Sequence, residues 1–199
     1  ASHPMGRVQA GTAIQYVRGR DAAQTAEHLA RGDAGWYPRL VHRLDTFTSG
    51  VLLVARTREC FLAMQRLVAA RLLEKSYLAV VVGVMAADNG SIDSPIGRDT
   101  SSAIDVKMAV RGDGLPAVTR WEVVRRLPGH TLVRAFPLTG RQHQVRLHLA
   151  SIGHPVAGDL LYGDERLFLR WQERLAAGLP ADPGLPPRHL LHAEAVAFD

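Results

Sequence analysis

Between Arg58 and Glu74 the apolar residues Phe61, Leu62, Met64, Leu67, Val68, Leu72 and Leu73 recur at three- and four-residue spacing, which predicts an amphipathic helix over 58–74. Val51-Leu52-Leu53-Val54-Ala55 before it is an unbroken apolar run of strand length, and predicts a buried strand. Tyr77–Val84 after it is β-branched and apolar, a second buried strand. Thr119–Arg126 and Thr131–Leu138 predict a hairpin joined by Leu127-Pro128-Gly129-His130. A helix is expected from just after Gly140 to about Ile152, and a short one from about Thr12 to Arg31. Residues 86–116, rich in Gly, Asp, Ser and Pro, read as loops with short strands, and 178–188, with Pro180, Pro183, Pro186 and Pro187, as a surface loop. His189–Phe198 reads as a last strand. Strands outnumber helices and neighbours look antiparallel, so the expected class is α+β, with a central, mostly antiparallel sheet and flanking helices. No repeat at a solenoid period interrupts this order.

A chain of 199 residues fits one domain spanning 1–199. With 47% apolar residues it can build a core, yet no apolar run reaches the roughly 20 residues of a membrane span. Ala1-Ser2-His3-Pro4 does not open a charged-then-apolar leader. Cys60 is the only cysteine, which excludes an internal disulfide and a cysteine metal cluster and fits a reducing cytoplasm. The net charge is +5, and Lys75 and Lys107 are the only lysines, so arginine carries the positive charge. Arginine suits phosphates and bases. Composition alone divides evenly between a nucleic-acid partner and the codon bias of a GC-rich genome with ordinary solubility.

Four segments change that balance. They are His42-Arg43-Leu44-Asp45-Thr46-Phe47-Thr48-Ser49-Gly50; Lys75-Ser76-Tyr77-Leu78-Ala79-Val80-Val81-Val82-Gly83; Thr139-Gly140-Arg141-Gln142-His143-Gln144-Val145-Arg146-Leu147-His148, continued by Gly153-His154-Pro155-Val156 and Gly158–Gly163; and Leu191-His192-Ala193. In this order, over most of 40–193, they resemble the signatures of the RluA-type pseudouridine synthase family, which modifies ribosomal and transfer RNA in bacteria. The resemblance implies a pseudouridine-synthase-like catalytic domain. It implies isomerisation of uridine in structured RNA without a cofactor or metal, by a monomer. The sequence has no P-loop, dinucleotide fingerprint or zinc pattern to contradict that. Gln142 stands where the family usually has Thr. The family also carries extra N-terminal strands, often an RNA-binding module, and a C-terminal extension, so this is either a minimal member or a chain lacking those segments.

Breaking the glycosidic bond of uridine calls for a carboxylate at the anomeric carbon. Asp45, in a turn-like segment before an apolar run, is the candidate. Attack on the sugar, attack on the base and removal of a sugar proton all stay open, as does a plain turn or helix cap formed by Asp45 and Thr48. The resemblance implies that Arg141 pairs with the aspartate and keeps it ionised; a phosphate contact is the alternative. Tyr77 suits stacking on uracil and proton transfer, or simply the core. Arg43, His42 and Leu191 are candidate substrate contacts: Arg43 to fill the space of an extruded base or hold phosphate, and Leu191, or its neighbour Leu190, to wall the uracil or pack in the core. His143 and His148 lie roughly 140° apart around a helix, a poor shared metal face. Three rival classes remain: an RNA-binding module without catalysis, a metal-dependent phosphodiester hydrolase and a uracil-releasing glycosylase.

Overall fold

The computed structural model describes residues 12–20, 38–180 and 182–198. It divides into two compact units, 1–73 with 197–199, and 74–196.

In the first unit, helix α1 (Ala13–Arg20) starts at Thr12, whose backbone N–H and hydroxyl both donate to Gln15 Oε1, the side-chain half of a capping box. The rest of the helix expected to reach Arg31 lies outside the described residues. Strand β1 (Arg39–Leu40) pairs antiparallel with β3 (Val54–Ala55), and β2 (Ser49–Gly50) lies between them in sequence. The expected buried strand over Val51–Ala55 is therefore corrected: only its last two residues join the ladder, and Val51 is 37% exposed. Leu53 bonds differently, donating its N–H to His42 Nε2 and accepting the N–H of Val41. Helix α2 (Arg58–Ala69) begins where Thr57 Oγ1 accepts the Cys60 N–H. It ends short of the expected Glu74 because Arg71 takes a left-handed φ of 58°, which turns the chain and leaves Leu72 exposed.

The second unit is built on a sheet in the order β10-β4-β9-β8-β5. These strands are β4 (Glu74–Val82), β5 (Asn89–Asp93), β8 (Val118–Leu127), β9 (His130–Pro137) and β10 (Leu191–Ala197, all but its last residue). β4–β9, β9–β8 and β8–β5 pair antiparallel, and β8 carries a bulge between Val123 and Arg125. The hairpin forms as its alternation predicts, turning at Pro128-Gly129, where glycine supplies φ 68°. A separate pair, β6 (Ile96–Arg98) and β7 (Met108–Val110), comes from the region read as loops with short strands.

One face of the sheet is covered by α3 (Gln144–Ser151). Val145 and Leu149 pack on Ala79, Val81, Val133, Ala135, Trp121 and Leu191. The opposite positions are less covered. Val82 is 44% exposed, so the strand expected over Tyr77–Val84 buries one face only, and it runs instead from Glu74 to Val82, where Gly83 turns the chain with φ 86°. Gly90 lies under Trp121, where a Cβ would come within 2.7 Å of the indole. Helices α4 (Leu160–Gly163) and α5 (Glu165–Ala176) occupy a stretch to which the sequence reading assigned no element. The signal for α5 was present: Asp164 accepts the Arg166 N–H as a cap, and Leu167, Phe168, Trp171 and Leu175 follow at helical spacing. Among the described residues, no helix is long and apolar enough to cross a membrane.

Candidate active site

Asp45 opens a tight turn, its carbonyl accepting the Thr48 N–H at 3.0 Å. Phe47 inside that turn has φ 74°, a left-handed conformation that costs a non-glycine residue roughly 1–2 kcal/mol. Strain of this kind persists only where neighbours enforce it. Here the enforcement is a closure on both sides: His42 Nε2 accepts the Leu53 N–H at 3.2 Å, and Val41 donates to the Leu53 carbonyl at 3.0 Å. His42 thus anchors the loop that presents Asp45. The Asp45 side chain is half-buried and Arg43 is exposed. These three residues belong to the first unit.

Tyr77, Arg141 and Leu191 belong to the second. Tyr77 sits on β4 opposite Ala135, half-buried against the same core cluster as Leu191, Val145 and Leu149. Leu191 is only 2% exposed, the environment of a core residue, while Leu190 is 44% exposed. Arg141 lies in the turn before α3, which starts three residues later than Arg141 itself. Its Nε donates to the Pro116 carbonyl at 3.0 Å, so the guanidinium is aimed by the backbone. His143 caps α3 with φ 56° and no side-chain cap bond; its ring instead lies edge-on to Tyr162, with Nδ1 2.9 Å from the phenol oxygen.

The residue that organises this turn, Gln144, was quoted in the sequence only as part of a motif. It is 4% exposed and uses its whole amide. Oε1 accepts the Arg141 N–H at 3.0 Å and the Thr139 hydroxyl at 2.7 Å. Nε2 donates to the Val118 carbonyl at 2.9 Å and to Thr119 Oγ1 at 3.0 Å. The directions beyond are forced. The Ser94 carbonyl can only accept, so His148 Nε2 carries the proton that it receives, and His148 Nδ1 accepts from the Thr119 hydroxyl. Burial pushes the His148 pKa down, in keeping with a neutral ring. His148 is thus fully committed to holding β8 and the Ser94 loop to α3, and His143 has a different partner. Among the described residues, no group of three or more His, Cys, Asp or Glu side chains is placed to hold a metal ion.

Below the turn, Arg146 and Asp159 form a fork of 2.6 and 2.9 Å at 7% and 1% side-chain exposure. Burial alone would raise the Asp159 carboxyl, but the guanidinium outweighs it and holds the group below the ordinary carboxylate range. Asp159 also accepts the Leu161 and Tyr162 N–H groups at the start of α4, and Arg146 lies 5.1 Å over the Tyr162 ring. No spacing rule links two residues thirteen apart across a loop, so this support was not legible in the sequence.

A family model described as RNA pseudouridylate synthase matches residues 10–151. The chain is 40% identical to the ribosomal large subunit pseudouridine synthase D of Xanthomonas campestris over 159 residues, 80% of this chain and 46% of that protein. It is 38% identical to synthase C of Escherichia coli K12 over 159 residues, 80% of this chain and 47% of that one. The chain thus spans about half the length of these curated relatives. Among solved structures, human RNA pseudouridylate synthase domain containing 1 superposes with a TM-score of 0.66 at 29% identity, over 92% of this chain and 71% of that one. Human RNA pseudouridylate synthase domain containing 4 shares the fold, with a TM-score of 0.69 at 24% identity over 99% of this chain and 77% of that one. With a family match across residues 10–151 and relatives at this identity, the chain belongs to the RNA pseudouridylate synthase family.

Proposed function

We propose that this chain converts uridine to pseudouridine within structured RNA, using Asp45 as its carboxylate. The observation that carries the reading lies in the second unit. Gly140, beside Arg141, faces the Lys75–Tyr77 end of β4, where a Cβ built on it would come 4.0 Å from Lys75 Nζ. Tyr77, near the start of β4, and Arg141, bonded to Pro116 just before β8, thus belong to the same end of the sheet. Ribosomal RNA is the substrate favoured by the names of the relatives; transfer RNA is the second. The protein is proposed to act as a monomer in the cytoplasm.

The reaction breaks N1–C1′, turns the uracil and rejoins it through C5. Uracil leaves as a delocalised anion, so one carboxylate suffices where ordinary glycosidases use two. Asp45 stabilises or attacks the centre left at the sugar or base. Arg141 supplies the fixed positive charge that an ionised carboxylate needs. Tyr77 stacks on the detached uracil, a contact of about 1–3 kcal/mol, and its hydroxyl assists departure of the C5 proton. Arg43 fills the space left by the extruded nucleotide, whose unstacking costs a few kcal/mol. His42 holds the Asp45 loop, and Leu191 backs Tyr77.

The test is tritium release from RNA labelled at uridine C5, with chelator present, by the wild type and by Asp45→Ala. Release by the wild type alone, without free uracil, is the expected result. Free uracil would make the protein a glycosylase, and loss of activity with chelator would make it metal-dependent. RNA binding with no release from ribosomal or transfer RNA would leave a binding module.

A further inference from the structure

The two lysines of this chain have opposite surroundings. Lys107 Nζ bonds Glu165 at 2.5 Å and lies 3.5 Å from Asp99, so its charge is answered twice. Lys75 is half-buried, and among the described residues it has no hydrogen bond and no ion pair. Burial lowers its pKa, and among the described residues no carboxylate offsets that. A cation removed from water without a partner is a standing cost to the fold. An anion arriving from outside would offset that cost.

The register says where. Lys75 and Tyr77 are two apart on β4, so both side chains project on the sheet face that α3 covers, roughly 6.6 Å apart along the strand. Across from Lys75 lies Gly140, where a Cβ would stand 4.0 Å from the ammonium. In RNA the anion nearest a stacked base is a backbone phosphodiester, and that is the anion an ammonium on the same sheet face as Tyr77 is suited to take.

We propose that Lys75 binds a phosphate flanking the target uridine, and so sets how far the base can be drawn onto Tyr77. This rests on the proposed reaction only for the word "target"; the anion site stands on the unpaired ammonium. Lys75→Met removes the charge at similar length, Lys75→Arg keeps it, and Lys107→Met removes a charge already answered by two carboxylates.

The measurement is affinity for unmodified large-subunit ribosomal RNA across a range of salt, with tritium release and thermal melting on the same preparations. Lys75→Met should lower the salt slope by about 0.7, one single-strand phosphate contact, and weaken binding about tenfold. Its Tm should rise, because an unanswered cation is gone. Lys75→Arg should keep the slope, and Lys107→Met should match the wild type in slope and affinity. An unchanged slope in Lys75→Met would sink the phosphate site; with turnover lost as well, it would place Lys75 on the base instead. A lower Tm would show that Lys75 serves the fold. If the wild type releases no tritium from any RNA, the enzymatic reading fails while the salt comparison still decides the anion site.

Discussion

Gln144 accepts the backbone N–H of Arg141 at 3.0 Å, and through that bond a residue that faces away from solvent fixes where the guanidinium begins. The same oxygen takes the Thr139 hydroxyl, so both sides of Gly140 are tied to one amide. Gln144→Met should leave the Arg141 N–H and the Thr139 hydroxyl without their acceptor, at a cost of about 1–3 kcal/mol for each buried group left unsatisfied, while the Val118 carbonyl keeps the Leu138 N–H and the Thr119 hydroxyl keeps His148. Measured well below the melting temperature, turnover should fall while RNA affinity holds. A variant that melts earlier but turns over normally when folded would reduce Gln144 to a structural part.

Arg141→Met removes the charge and also the bond from Nε to the Pro116 carbonyl. Preorganised charge at a reacting centre is worth roughly 10²–10³-fold in rate. Turnover should drop by about that factor, with RNA affinity changed much less, since one exposed phosphate contact is a small part of polyanion binding. Single-turnover tritium release and filter binding on the same preparation separate the two. Loss of affinity with turnover intact would assign Arg141 to phosphate.

Tyr77 packs its ring against the cluster that contains Leu191. Tyr77→Phe keeps that packing and the stacking surface but deletes the hydroxyl. A variant that binds RNA and stalls would assign the hydroxyl to proton transfer; one that keeps most of its activity would leave stacking as the whole role. Tyr77→Leu should weaken both binding and turnover, because stacking on a base contributes about 1–3 kcal/mol.

What the sequence revealed and what it hid follow one physical rule. Periodicity reports a face, so the β8–β9 hairpin and the α3 segment were legible. It does not report a ladder, so Val51-Leu52-Leu53 looked like a strand although the Leu53 N–H goes to an imidazole. The end of α2 was set by Arg71 taking a left-handed φ, which no apolar spacing announces. At the candidate site, residue types that carry chemistry stood out: Asp45, Tyr77 and Arg141. The residues that aim them did not, because Gln144, Thr119 and Asp159 act through bonds to partners far along the chain. Lys75 was legible as a motif letter, but its lack of a side-chain partner among the described residues is a fact of three dimensions.

The Arg146–Asp159 fork makes a prediction about pH. The folded carboxyl titrates below its unfolded value, held there by the Arg146 guanidinium against the effect of burial. Its contribution is therefore fully present above the ordinary aspartate value, near 3.9, and is lost as pH falls through the lower, folded value. Asp159→Asn should leave Arg146 buried without a counter-charge, a loss of about 3–5 kcal/mol at neutral pH. Urea unfolding of the wild type and Asp159→Asn, run from about pH 7 to about pH 3, should show a wide gap that closes only in the acid limb. The closing should come from the wild type losing stability, since protonated Asp159 no longer answers the guanidinium. A gap of constant width would mean that the charge of Asp159 adds little, since the asparagine keeps an oxygen for the Leu161 and Tyr162 N–H groups.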